Sequence, residues 1–209
     1  MNRKKLRSLA AGVALLLAVG ALAGCGGEKK ADDSKKMVTV GIAQLVEHGA
    51  LDAANKGFVA GMASKGFKEN ENVKYDRQNA QADQSNLQNI AQRFVSNKVD
   101  LICAIATPTA QTMANATKDI PIVATAVTDY EVAKLAASNN EPKGNDTGTS
   151  DMNPIDQQLE LLLKIAPQTK NIGTVYSSSE VNSQLQVDVL KKLAGDKGIN
   201  VIEATVSTV

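Results

Sequence analysis

The sequence predicts an α/β protein built on a doubly wound parallel sheet, and three observations carry that expectation. Short runs rich in Val, Ile and Ala alternate with stretches whose apolar residues recur every three or four positions. The connections between them are too short for anything but parallel β-α-β units. The run 101–106 (LICAIA) is apolar at every position, as a strand covered on both faces must be.

Residues 37–43 (MVTVGIA) form a first strand, rich in β-branched residues. A helix over 50–65 follows, with Leu51, Ala54, Phe58 and Met62 on one face, and Gly66 closes it. Residues 72–77 make a second strand. Asp83 or Ser85 then opens a helix carrying Leu87, Ile90, Ala91, Phe94 and Val95, and 85–88 (SNLQ) fits a capping box. After the central strand, Thr107 suits an N-cap and Pro108 the first helical position, with the helix running to about 118. A fourth strand over 121–127 ends at Thr128 and Asp129. Residues 138–146 are rich in turn formers, and 147–150 reads as a short strand leading to Asp151. A second alternation comprises a helix over 154–165 capped by Asn153, a strand over 171–176, a helix over 180–194 and a strand over 199–206. The expected organisation is a first lobe over 37–150 and a partial second lobe over 151–209. Two strands and two helices cannot cover both faces of a parallel sheet, so the sequence is expected to be a fragment.

The N-terminus carries a targeting pattern. Arg3, Lys4, Lys5 and Arg7 precede an apolar run over 9–21, too short for a stable membrane span, which ends in LAGC at 22–25. Small residues followed at once by Cys resemble the lipobox of bacterial lipoproteins. That resemblance implies a signal peptide over 1–24, an acyl lipid on Cys25, and an exported protein anchored to the cell envelope. Residues 26–36 are small, polar and charged, as a disordered tether would be, so 25–36 is taken as linker. Cys103, the only other cysteine, lies in the central strand, so the pair does not read as a disulfide. A formal charge of +1 over 209 residues gives no reason to invoke nucleic acid.

Chemical motifs are sparse. One His rules out a multi-His metal site. Neither a phosphate-cradling Gly-rich loop nor a nucleophile elbow occurs, so no metal, cofactor or enzymatic activity is expected. What remains is a set of polar side chains at strand carboxyl ends, where open α/β sheets bind ligands. They are Gln44, Glu47 and His48; Thr107 and Thr109; Thr128 and Asp129; Asp151; and Ser177, Ser178, Ser179, Glu180 and Asn182. Hydroxyls beside helix N-terminal amides suit a carboxylate, and Asp129 or Asp151 suits an ammonium. Together they suit an amino acid. Taken singly, each reads equally well as a loop polar group or a cap, and His48 more often as a structural residue.

Six runs then carry a resemblance: 40–54 (VGIAQLVEHGALDAA), 79–85 (NAQADQS), 104–111 (AIATPTAQ), 122–129 (IVATAVTD), 147–151 (TGTSD) and 176–183 (YSSSEVNS). In this order over 38–209 the chain resembles the tryptophan/tyrosine-type substrate-binding lipoproteins of ABC transporters. Relatives carry Phe and Pro where this chain has Leu45 and Gly49. The resemblance implies a type I periplasmic-binding-protein fold of two doubly wound lobes, the second truncated here. It implies a monomer that closes on an aromatic amino acid and delivers it to a membrane permease and its ATPase. Under it, Thr107 and Thr109 take the carboxylate, Asp129 or Asp151 the amino group, and Gln44 and His48 border the side chain. Ser178, Ser179 and Asn182 close over from the second lobe. A nucleoside or sugar binder and a ligand-sensing module share the same fold. Sugars favour aromatic platforms, and aromatic residues are 3% of this chain, with no Trp.

Overall fold

The computed structural model describes residues 37–142 and 144–207; the expected signal peptide, Cys25 and the expected tether lie outside the described residues. Five parallel strands form the main sheet: β1 (Val38–Gln44), β2 (Val73–Asn79), β3 (Leu101–Ile105), β4 (Ile122–Val127) and β7 (Asp146–Ser150). Their order is β2-β1-β3-β4-β7. The chain winds outward from β1 to β2 and then crosses to β3 on the other side. The carboxyl ends of β1 and β3 therefore flank the point where the winding changes direction.

Three helices cover the sheet. Helix α1 (Gly49–Ser64) lays Leu51, Ala54, Phe58, Val59 and Met62 against Val40, Ile42, Val73, Cys103 and Ile105 on one face. Helices α2 (Gln84–Ser96) and α3 (Thr107–Ala116) cover the other with Leu87, Ile90, Phe94, Ala110 and Met113. Full burial of side chains such as Phe94 or Ile102 contributes about 1.5–3 kcal/mol each. Phe94 fits because position 41 is glycine; a β-carbon there would stand 2.8 Å from its ring. Cys103 is enclosed, and desolvation pushes its thiol up to about 12, so it acts as a small core residue.

Between β4 and β7 the turn-rich segment folds into a small antiparallel hairpin of β5 (Ala136–Ser138) and β6 (Glu141–Pro142). The Tyr130 hydroxyl reaches from this crossover to donate to the Ala124 carbonyl at 3.0 Å, and burial pushes the phenol up to about 12. The second lobe comprises α4 (Ile155–Ile165), β8 (Asn171–Ser177), α5 (Val181–Gly195) and β9 (Asn200–Val206). Leu159, Leu190 and Leu193 of its helices pack on Ile172 and Val201, one face of the parallel β8–β9 pair. On the opposite face Val175 is 74% and Ile202 56% exposed, so among the described residues that face is bare.

Element positions agree with the sequence reading to within two residues, but three caps differ. Helix α3 begins at Thr107 with Ala106 as its N-cap, and Thr107 does not cap it. Asp83 alone caps α2, its Oδ1 accepting the Asn86 N–H at 2.7 Å, so the 85–88 capping box is not used. Asn153 does not cap α4; its amide donates to Gln186 Oε1 at 2.7 Å. Partners distant in sequence engage two of these polar groups, the Thr128 N–H at Thr107 and the Gln186 carboxamide at Asn153.

Candidate functional site

Loops that follow five strands line one cavity of about 540 Å3. Leu45 follows β1, residues 82–85 follow β2, and Pro108 follows β3. From the second lobe come Ser179 and Glu180 after β8 and Ser207 after β9. Every contributor lies just past a strand carboxyl end.

The β2–α2 loop is bound to the β1–α1 loop by two main-chain bonds, Ala80 N–H to the Gln44 carbonyl at 2.9 Å and Ala82 N–H to the Leu45 carbonyl at 2.8 Å. Gln81 and Ala82 both have positive φ, 55° and 59°, and the Asn79 carboxamide accepts the Gln81 N–H at 2.8 Å. This tight loop presents Asp83 and Gln84 at the cavity wall. At the next wall Ala106 has φ 87° and ψ 153°, a conformation that costs an alanine on the order of 1–3 kcal/mol. The turn delivers the start of α3 to the cavity, where Thr107 and Thr109 offer N–H groups unpaired within the helix. Thr109 Oγ1 is fully buried with no hydrogen-bond partner among the described residues.

Of the residues expected at the site, Ser179 lines the cavity, and its Oγ donates to the Ser207 carbonyl at 3.2 Å. Thr107 and Thr109 flank Pro108, and the Thr107 hydroxyl accepts the Thr128 N–H at 3.4 Å. Thr128 is buried, its carbonyl accepting from Ser150 Oγ at 2.7 Å. Ser178 Oγ donates to the Val206 carbonyl at 3.3 Å, tying β8 to β9. Asn182 stands beside Glu180, its Nδ2 donating to Glu180 Oε2 at 3.3 Å.

Four expected residues are placed in internal roles or away from the cavity. Gln44 is buried, and its amide donates to the Val46 carbonyl at 2.9 Å and Asp52 Oδ1 at 2.6 Å while accepting from Asn55 at 3.2 Å. His48 is exposed and caps α1 through Nδ1, which accepts the Ala50 N–H at 3.3 Å. Asp129 accepts the Val132 N–H at 2.7 Å and the Asn139 amide at 2.8 Å, which occupies both oxygens. Asp151 is exposed, with its N–H on the Val127 carbonyl at 3.0 Å. For Gln44, His48 and Asp129 a nearby backbone or side-chain partner, invisible in a motif, engages the polar group, whereas Asp151 is held only through its main chain.

Sequence reasoning gave Asp83 only a capping role and passed over Gln84, although the rule that named polar residues after β1, β3 and β4 applies equally after β2. Among the described residues no group of three His, Cys, Asp or Glu could hold a metal ion, and no helix is long and apolar enough to cross a membrane.

Comparison with known proteins adds a family. The chain is 48% identical to a tyrosine-binding protein of Clostridioides difficile (strain R20291), over all of this chain and 62% of that one. It matches an ABC domain from Streptococcus pneumonia solved in complex with L-Trp, with TM-score 0.79 and 41% identity, over 82% of this chain and 58% of that one. It matches a ligand-free, open substrate-binding protein from Clostridium difficile at 50% identity but with TM-score 0.65, over the same shares. The chain spans about three fifths of the length of these relatives. Its fold is that of type I periplasmic binding proteins. The family described as ABC transporter substrate binding protein matches residues 39–209, and the chain belongs to that family.

Proposed function

We propose that the whole protein captures an aromatic amino acid in the cleft between its two lobes and releases it to a membrane permease driven by an ATPase. Cys25, lipidated after export, would hold it at the cell envelope. The observation that carries this reading is a cavity of about 540 Å3 lined by loops from both sheets, each contributor just past a strand end. Its size falls in the ~300–1,000 Å3 range of small-molecule sites. The kinship with a tyrosine-binding protein and with an L-Trp complex supports the ligand class.

In this mechanism the ligand carboxylate docks at the start of α3. There the N–H groups of residues 107 and 109 and the unpartnered Thr109 hydroxyl supply donors, and the helix dipole favours negative charge. Ser179 and its neighbours approach from the other side. Closure turns on residues 151–154, which have no regular structure and join the lobes. Bound ligand favours the closed state by the contacts it makes with the second lobe. No bond is made or broken.

Calorimetric titration of the full-length protein with L-tyrosine, L-tryptophan, L-phenylalanine, adenosine and ribose tests the reading. We expect at least one aromatic amino acid to bind with a dissociation constant on the order of 1 μM or tighter, about 8 kcal/mol of binding free energy. Binding of adenosine or ribose in place of all three amino acids would overturn it.

A further inference from the structure

We propose that the cavity grips the ammonium group of its ligand between two carboxylates supplied by different lobes, Asp83 and Glu180, and thereby selects ligands that carry a positive charge. This rests on the reading above that the cavity is the ligand site. Among the described residues, Asp83 and Glu180 are its only ionisable lining residues, and no Lys, Arg or His lines it.

Each carboxylate keeps one oxygen in reserve. Asp83 Oδ1 accepts the Asn86 N–H at 2.7 Å, while Oδ2 has no partner among the described residues. Glu180 Oε2 accepts from Asn182 Nδ2 at 3.3 Å and Ser183 Oγ at 3.5 Å, while Oε1 has no partner among the described residues. Beside Glu180, Asn182 Oδ1 is a further acceptor, buried and without a partner among the described residues. Turning that amide over would set its oxygen against the Glu180 carboxylate and bury an unpaired NH2, so the orientation stands. The nearby Ser179 hydroxyl is committed to the Ser207 carbonyl. This wall has acceptors and negative charge but few donors, and an ammonium supplies three N–H donors and the opposite charge.

The arrangement also links charge to closure. Asp83 belongs to the first lobe and Glu180 to the second, so bringing the lobes together brings two like charges together, and a cation between them offsets that cost. With the carboxylate at α3 and the ammonium at this pair, the ligand is held as an oriented zwitterion. Asp129, expected for this task from sequence, has both oxygens occupied.

The test compares L-tyrosine and L-tryptophan with their des-amino analogues, hydroxyphenylpropanoate and indolepropanoate, on the full-length protein and its Asp83→Asn and Glu180→Gln variants. Asn caps a helix as well as Asp, and both changes preserve shape, so matched thermal melts establish folding. We expect wild type to favour the amino acid by ~100-fold, and each variant to lose about tenfold or more for the amino acid with des-amino affinity within about twofold of wild type. Variants that leave the amino to des-amino ratio unchanged would overturn the proposal while amino-acid capture stands. A wild-type protein that binds no aromatic amino acid would overturn both.

Discussion

At Gly148 a β-carbon would stand 1.9 Å from the Ala124 carbonyl oxygen and 2.1 Å from the Tyr130 hydroxyl. The first of these is backbone, so no side-chain adjustment relieves it. Gly148→Ala should lower stability by about 2–3 kcal/mol, read as a shift in urea midpoint, and Tyr130→Phe should not rescue it. Thr109 makes the opposite case. Its buried hydroxyl has no partner, so Thr109→Val should leave the melting temperature of the unliganded protein unchanged or raised, while calorimetry shows weaker amino-acid binding. A stability gain without a binding loss would show that the hydroxyl serves no ligand. The residue scale is also where sequence reading was least secure. Gln44, His48 and Asp129 are polar and lie at strand ends, as a site requires, yet each is satisfied by groups within eleven residues of it. Residue type and position do not reveal which polar atoms the fold has already paired.

Strands and helices were far more legible, because apolar periodicity is a local property that survives folding. The uniform apolar run at 101–106 became β3, with Ile102 to Ile105 fully buried. Contacts between elements add a pH dependence that the sequence does not display. Arg93 of α2 holds Asp76 of β2 at 2.8 and 3.3 Å, and Gln78 donates to the same carboxylate at 2.6 Å. Burial raises the carboxyl's pKa, but these hydrogen bonds outweigh it and the net shift is downward. With the folded pKa below the unfolded one, the contribution is present above the unfolded value near about 4 and is lost as pH falls through the folded value. Arg93→Gln should therefore lower the urea midpoint at pH 7, with the difference from wild type shrinking as pH falls below about 4. Because Arg93 is half exposed, the effect should also weaken in high salt. A difference that grows with acid would contradict this account.

At the scale of the whole molecule the two sheets differ in protection. Strands β1 and β3 lie inside a five-stranded sheet with helices on both faces, whereas β8 and β9 form a two-stranded sheet with helices on one. Amides of β8 and β9 in this 209-residue chain should exchange with deuterium ~10-fold or more faster than those of β1 and β3, as expected of a less enclosed cooperative unit. Equal exchange would mean that the two lobes unfold together. The sequence alone determined the alternation of elements, the parallel sheet and the two-lobe plan, since periodicity, short crossovers and strand polarity are written along the chain. Only the tertiary structure decided which loops meet. The cavity joins residues some 160 positions apart, from Leu45 to Ser207. Their proximity follows from sheet order and lobe placement, which depend on long-range packing rather than on any local pattern.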